Sequence, residues 1–228
     1  MTRLTDQVYT ALRRKIMSGE FAPEEQVKEE YIAKLLSVSR TPVRAAIERL
    51  IDDGLLFRDR GRGSFVSSWN MDDIKEIFEL RILLESRAAG LAALRSTSDQ
   101  KKRLKAHSKN MERLIKEKPE EYLLSIQNEN NSFHNVLLDA AGSPRLTRLA
   151  ETLVDIPITI GSFYLYSEKD MYRSARHHRE LIHAIEIGSE EYAKDVMSVH
   201  LRAAYHAFMV NRKNSTVKTK PEELKEEN

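Results

Sequence analysis

The sequence predicts a mainly α-helical protein with two domains and one short β-hairpin, and three observations support this prediction. Apolar residues recur every three or four positions through most of the 228 residues, which is the period of an amphipathic helix. The strand signal is confined to residues 55–66. From residue 69 onward glycines are few and the helical periodicities are long. We therefore expect one domain over residues 1–68, an all-helical domain over residues 70–212, and a disordered tail over residues 213–228, where almost nothing is apolar.

The composition limits the class of protein and its compartment. Hydrophobic residues make up 41% of the chain, charged residues make up 32%, and cysteine is absent, so disulfides are excluded and an intracellular protein is indicated. No basic-then-apolar leader follows Met1, and Asp155 and Pro157 interrupt the longest apolar run, so we expect a cytoplasmic protein with no membrane partner. The net charge of +2 is too small to indicate a nucleic-acid partner by itself, so any DNA-binding surface has to be local.

Two helices are predicted before residue 37. The first has apolar residues at every fourth position and a stop at Gly19: Leu4, Val8, Leu12 and Ile16. The second is a supporting helix over Gln26 to Leu36, preceded by a short extended piece. Its expected packing face comprises Val27, Tyr31, Ile32, Leu35 and Leu36.

The third predicted helix has the pattern of a DNA-reading element. Its buried stripe comprises Val43, Ile47, Leu50 and Ile51. Arg40, Arg44 and Arg49 fall elsewhere on the helix, and a helix that is buried on one side and basic on the other suits a major groove. Ser39 and Thr41 are both candidate N-caps, and Pro42 is tolerated in the first turn. The alternative is an ordinary amphipathic surface helix with solvated arginines.

A β-hairpin is predicted directly after this helix. The apolar runs at residues 55–57 and 65–66 read as two strands, and a charged, glycine-containing tip joins them. Arg60 and Arg62 flank Gly61 at this tip. The glycine lets the backbone approach a phosphate or the minor groove, and the two arginines supply positive charge. The alternative for these residues is a solvated turn.

The second domain is predicted to contain helices throughout. The first of them starts at Asp72 or Asp73 as its cap and ends near Ser96. A polar helix over Ser98 to Lys116 follows. The other expected helices span Tyr122 to Ala141, Arg145 to Tyr166 with an interruption at Pro157, Arg173 to Ile187, and Glu190 to Val210.

Longer stretches of the chain resemble known families. Residues 16–66 resemble the winged helix-turn-helix of the GntR family of bacterial repressors, through Ser18-Gly19, the run SRTPVR, Asp53-Gly54 and the terminal GSFV. Two positions depart from the family pattern, because Glu24 and Ser37 stand where glycine is usual. If Ser37 adopts a left-handed conformation, this costs on the order of 1 kcal/mol.

The second half resembles the FCD effector domain of the FadR-like branch of that family, over residues 72–210. The stretches that carry the resemblance are FELRILLESRAAGLAA, NNSFHNVLLDAAGSP and HHRELIHAIEIGSEEYAKDVMSVHL. The resemblance implies that an acidic residue and three histidines hold a divalent metal. Asn130 stands where that family has aspartate, and an amide oxygen is a weaker, uncharged ligand.

Helical geometry also predicts that the histidines converge. Asn130 and His134 are four residues apart and share one face of a helix. His178 and His200 each lie eleven residues from Ser189, so a fold-back at that residue places them at the same height. Imidazoles with an oxygen donor suit Zn(II), with Ni(II) or Fe(II) as further possibilities. The alternative for each histidine is a half-buried polar residue with no metal.

Together these features predict a metabolite-responsive DNA-binding transcriptional regulator, a repressor that binds a palindromic operator as a homodimer. Arg40 and Arg44 are expected to contact bases or phosphate, Thr41 a phosphate, and Arg81 the carboxylate of a small organic acid effector. The alternatives are a metal-dependent hydrolase and a constitutive DNA-binding dimer. We do not expect an enzyme, because Glu129 and Asp139 face away from His134 on its helix and no other general base is apparent.

Overall fold

The N-terminal domain consists of helices around one small sheet. The computed structural model of the protein describes residues 3–17, 20–68, 70–154 and 166–217. The helices of this N-terminal domain are α1 (Arg3–Met17), α2 (Glu29–Leu35) and α3 (Arg40–Asp52). The strands are β1 (Gln26–Val27), β2 (Leu56–Asp59) and β3 (Gly63–Val66), and the antiparallel sheet has the order β1-β3-β2. Its apolar core joins α1 and α3 to the sheet and includes Leu12, Ile32, Ile47, Leu50 and Leu56.

The predicted hairpin is confirmed, and a third strand extends it. Gln26 pairs with Phe65, and Val27 pairs with Ser64, so the supporting helix begins at Glu29 and not at Gln26. The predicted packing face of this helix was also partly wrong, because Tyr31 and Leu35 are exposed. A helix of only seven residues makes about two turns, and here Ile32 and Ala33 are the residues that it buries.

The chain takes a left-handed conformation at both positions that depart from the GntR pattern. The φ angle is 65° at Glu24 and 53° at Ser37. Ser39 is the N-cap of α3, and Thr41 lies inside the helix. The Ser39 side chain makes no capping hydrogen bond, so its extended backbone alone sets the start of α3.

The second domain is a bundle of long helices. They are α4 (Met71–Arg95), α5 (Ser98–Glu117), α6 (Tyr122–Ala140), α7 (Pro144–Val154), α8 (Glu168–Glu186) and α9 (Glu190–Val217). The core of the bundle is contributed by α4 to α9. Helix α9 packs closely along α4, and Gly90 permits the approach because a Cβ there would lie 2.8 Å from Lys194 Cε.

Several predicted boundaries in this domain need correction. Asn70 caps α4 and forms a capping box with Asp73, so neither Asp72 nor Asp73 is the cap. Helix α8 begins at Glu168, five residues before the predicted Arg173, because Ser167 and Asp170 form another capping box. Helix α9 continues to Val217, so residues 213–217 are helical and not disordered. Ser18, Gly19, Trp69, Pro157 and the tail over residues 218–228 lie outside the described residues.

An exposed ion pair connects the two domains. Arg14 Nη1 on α1 lies 3.4 Å from Glu121 Oε1, directly before α6. Both side chains are about half exposed, and pairs of this kind contribute roughly 0–1 kcal/mol. Among the described helices, none combines the length and apolar character that a membrane span requires.

Candidate metal centre and DNA-binding surface

Three histidines from three helices meet inside the second domain. His134 is on α6, His178 on α8 and His200 on α9, and each is at most 5% exposed. The ring centroids are 5.6 Å apart for His134 and His178, 5.3 Å for His134 and His200, and 4.9 Å for His178 and His200. Their candidate ligand atoms all lie within 4.8 Å of one another. The predicted convergence of the three imidazoles is therefore present in the fold.

The fold-back between α8 and α9 brings two of these rings together. The Ser189 N–H donates to the Ala184 carbonyl, and Gly188 adopts a φ of 70°, which closes the end of α8. Phe133, beside His134 on α6, stacks on His178 with ring centroids 4.0 Å apart and an angle of 6°. The turn sets the height of the two rings, and the aromatic stack sets the plane of His178.

Four ring nitrogens of these three histidines are buried without a hydrogen-bond partner among the described residues. They are His134 Nε2, both ring nitrogens of His178, and His200 Nδ1. A buried polar atom that stays unpaired costs about 1–3 kcal/mol. Burial, followed by repulsion from the neighbouring histidines, holds the pKa of His178 and of His200 well below the ordinary value. Neutral imidazoles with free lone pairs are the ligand set that a divalent transition metal requires, so these residues fit the ion.

Sequence reasoning missed Glu85, which lies in contact with this centre. Its Oε2 is 2.6 Å from His134 Nδ1, and its Oε1 accepts a hydrogen bond of 2.6 Å from Arg81 Nε. Burial alone would raise the pKa of Glu85, but attraction to Arg81 and His134 outweighs burial and lowers the pKa to about 2. The spacing of Arg81 and Glu85, four residues apart on a predicted helix, was the signal that could have identified the pair.

Asn130 lies on α6, four residues before His134. Its side chain is buried, and Oδ1 has no hydrogen-bond partner among the described residues. Gln127, one turn earlier on α6, is also buried, and neither its Nε2 nor its Oε1 has a hydrogen-bond partner among the described residues. The buried face of α6 thus carries two neutral amides next to His134, and its carboxylates point elsewhere.

The two carboxylates considered as general bases, Glu129 and Asp139, have partners outside the cluster of His134, His178 and His200. Glu129 pairs with His107 at 2.7 Å, and Asp139 accepts from Gln100 at 2.7 Å. His177 lies beside the cluster, with its ring centroid 5.9 Å from that of His200. Burial, together with Arg176 and Arg173, lowers the pKa of His177. Neither carboxylate is placed to activate a water on an ion at the three histidines.

The start of α3 forms a basic surface whose arginines contact acidic residues of α2. Arg44 donates to Glu29 through Nε at 3.1 Å and Nη2 at 3.0 Å. Arg40 contacts Glu29 at 3.1 Å and Glu30 at 2.8 Å. Both arginines and Thr41 are exposed. Both guanidinium groups are therefore accessible, and they exchange their carboxylate contacts for phosphate or base contacts if DNA docks here.

Arg49 lies on another side of α3. It is nine residues after Arg40, which is about 180° around a helix. Its Nη1 donates to Asp6 at 2.8 Å, and its guanidinium lies 4.0 Å from the centre of the Tyr9 ring. These contacts join α3 to α1, so the geometry does not favour the predicted DNA contact of Arg49.

The hairpin of β2 and β3, which we call the wing, carries the other candidate arginines. Arg60 is exposed, Gly61 has a φ of 81° with open space around its Cα, and Arg62 pairs with Asp59 at 3.1 Å. Arg58, which the sequence reasoning did not single out, pairs with Glu48 on α3 at 2.6 Å. An open cleft between α2, α3 and the wing is lined by Arg40, Arg44 and Arg58.

Comparison with known proteins matches two parts of the chain to family models. Residues 4–66 match the model of "Bacterial regulatory proteins, gntR family", and residues 76–203 match that of the FCD domain. The chain is 28% identical to the HTH-type transcriptional regulator YdhC of Bacillus subtilis (strain 168), over 85% of this chain and 86% of that protein. It is 25% identical to the HTH-type transcriptional repressor RspR of Escherichia coli (strain K12), covering 87% and 86%. The solved structure of E. coli McbR/YncC has the same fold, with a TM-score of 0.68, 20% identity, and coverage of 94% of this chain and 100% of that one.

Proposed function

This chain belongs to the GntR family of bacterial transcriptional regulators and carries an FCD effector domain, and from that premise we propose that it is a metabolite-responsive repressor. Its matched relatives are transcriptional regulators and not enzymes. The name of RspR, a repressor that aligns with 87% of this chain, supports repression. In this proposal the protein is a homodimer that binds a palindromic operator.

The observation that carries the proposal is the buried cluster of His134, His178 and His200 with unpaired ring nitrogens. We propose that these three residues hold one divalent metal ion, with zinc as the first choice and nickel or iron as the others. Asn130 Oδ1 is the candidate fourth ligand. When bound, the ion supplies a Lewis-acidic centre with open positions for a carboxylate of the effector.

The proposed DNA surface comprises the N-terminal end of α3 and the tip of the wing. Arg40 and Arg44 would contact bases or phosphate, and Thr41 would contact phosphate. Arg60, Gly61 and Arg62 would reach a phosphate or the minor groove from the wing. Arg49 is left out of this surface because it packs against α1.

The proposed switch requires that the effector bind two arrangements of the dimer with different affinity. A typical coupling of about 1–3 kcal/mol changes operator affinity roughly 5–150-fold. Glu85 is the carboxylate in contact with this centre, and both of its oxygens are engaged by Arg81 and His134, so the centre is suited to hold an effector carboxylate and not to hydrolyse a bond.

The direct test replaces one proposed ligand, with His178→Ala as the variant. We expect it to lose most of its bound metal, measured by mass spectrometry under native conditions, and to lose the change in operator affinity caused by small organic acids. His206→Ala is the matched control, because His206 is an exposed histidine on α9. Full metal content and an intact response in His178→Ala would place the metal site elsewhere.

A further inference from the structure

A chain of buried contacts runs from α4 into the histidine cluster. Arg81 Nε donates to Glu85 Oε1 at 2.6 Å, and Glu85 Oε2 lies 2.6 Å from His134 Nδ1. Each carboxylate oxygen therefore has its own partner. Arg81 is 3% exposed, Glu85 0% and His134 1%, so water does not compete for these contacts.

This arrangement determines which nitrogen of His134 carries the proton. A carboxylate that pairs with a guanidinium is ionised, and an ionised carboxylate only accepts hydrogen bonds. The short contact at Nδ1 therefore requires a proton on Nδ1. In the neutral ring the lone pair is then on Nε2, which is buried without a partner among the described residues.

We propose that Glu85, held in place by Arg81, is a positioning residue that fixes the ring orientation and tautomer of His134 and so presents Nε2 to the metal ion. This inference rests on the proposed metal site. It also gives Arg81 a role other than the predicted contact with the effector. Arg81 balances the charge of Glu85 and orients its carboxylate.

The other two histidines differ from His134 in this respect. Neither ring nitrogen of His178 has a partner among the described residues, and His200 Nδ1 is also unpaired. Among the described residues, His134 is the member of the cluster that contacts a carboxylate. The stack on Phe133 orients the ring of His178, but the carboxylate contact sets the tautomer of His134, and removal of that carboxylate should weaken metal binding about 10–100-fold.

The test uses double variants, because removal of one partner alone would leave the other charge buried and unpaired. Arg81→Met combined with Glu85→Leu keeps an apolar pair of similar volume but offers no acceptor to His134. Arg81→Met combined with Glu85→Gln restores an acceptor oxygen without the charge. Glu129→Gln is the matched control, because Glu129 forms a similar contact of 2.7 Å with His107, outside the cluster. The zinc dissociation constant of each full-length variant is measured by competition with a chelator.

We expect a 10–100-fold weaker zinc affinity for the Met/Leu variant, partial recovery for the Met/Gln variant, and no change for Glu129→Gln. Nitrogen-15 NMR of the metal-free wild-type protein provides a second measurement that does not depend on the folding of the double variants, with His134 assigned from His134→Gln. A proton on Nε2 of His134, or unchanged zinc affinity in a folded Met/Leu variant, would overturn the proposal. A wild-type protein that binds none of zinc, nickel and iron but has the proton on Nδ1 would refute the metal site and support the role of Glu85 in setting the tautomer.

Discussion

At the scale of single residues, the two non-glycine residues with left-handed backbone in the DNA-binding domain store conformational strain. Ser37 has a φ of 53° in the turn between α2 and α3, and its side chain is exposed. A left-handed conformation costs an L-residue about 1–2 kcal/mol. Glycine at this position would remove that cost, but its greater backbone freedom in the unfolded chain would offset roughly 0.5–1 kcal/mol of the gain in stability. The packing of α2 on α3 supplies the free energy that keeps this residue in place.

We predict that Ser37→Gly stabilises the protein by about 0.5–1 kcal/mol, because glycine adopts this conformation without strain. The measurement is the midpoint of thermal unfolding. Ser39→Gly is the control, since Ser39 has an ordinary φ of −72° and makes no side-chain capping bond. A lower midpoint for Ser37→Gly than for the wild type would contradict the account of strain.

At the scale of elements, helix α3 has two basic regions with different partners. The region near its N-terminus holds Arg40 and Arg44, which lie over Glu29 at the start of α2. The other region holds Arg49, which packs on Tyr9 and Asp6 of α1. The hydrophobic period of the sequence places all three arginines outside the buried stripe of the helix. Only the positions of α1 and α2 separate the residues that face open solvent from the one that joins two helices.

We predict that Arg44→Ala weakens specific operator binding by about 1–3 kcal/mol if Arg44 reads a base, or reduces the salt dependence of binding if it contacts phosphate. Arg49→Ala should keep the operator affinity and instead lower stability by roughly 0.5–1 kcal/mol through loss of the contact with Tyr9. Both variants remove one positive charge, so each controls for the net-charge effect of the other. Binding is measured by titration at several salt concentrations. The reverse pattern would exchange the two assignments.

At the scale of the whole molecule, the histidine cluster makes the stability of the second domain depend on pH. The folded state holds His178 and His200 with lowered pKa values, whereas unfolded histidines titrate near a pKa of about 6.5. The unfolded chain therefore binds more protons as the pH falls below about 6.5, and stability decreases in that direction. Above that pH both states are neutral at these residues, so their contribution is fully present. Glu85, whose pKa is lowered to about 2, adds a separate loss below its unfolded pKa of about 4.5.

We predict that the metal-free protein loses thermal stability from pH 7 to pH 5, and that His178→Gln combined with His200→Gln reduces this slope. Metal should raise the midpoint at pH 7 because it binds the folded state, with about 2.7 kcal/mol of stabilisation at a free concentration of 100 times the dissociation constant. Removal of the metal by a chelator should reverse that gain. The measurement is thermal unfolding at a series of pH values with and without zinc. A slope that is unchanged in the double variant would exclude these two histidines as its source.

The sequence by itself determined the two-domain helical architecture, the hairpin and the equal height of His178 and His200 at the fold-back, whereas the approach of His134 to these two rings depended on the assembly of the helices. Each feature that the sequence determined follows from short-range rules: the helical period, the turn chemistry at Gly188 and Ser189, and the equal spacing of His178 and His200 from that turn. Helix ends were less well predicted where a capping box such as Ser167 with Asp170 decided them.

The tertiary structure alone decided which partner a charged residue has when that partner lies on another element. Glu85 on α4 contacts His134 on α6, and Arg49 on α3 lies over Tyr9 on α1. The pairing of Gln26 and Val27 with the hairpin also depended on a distant strand. Sequence patterns report the side of a helix or strand on which a residue lies. They do not report what packs against that side, because contacts between residues far apart in the chain arise only when the elements assemble.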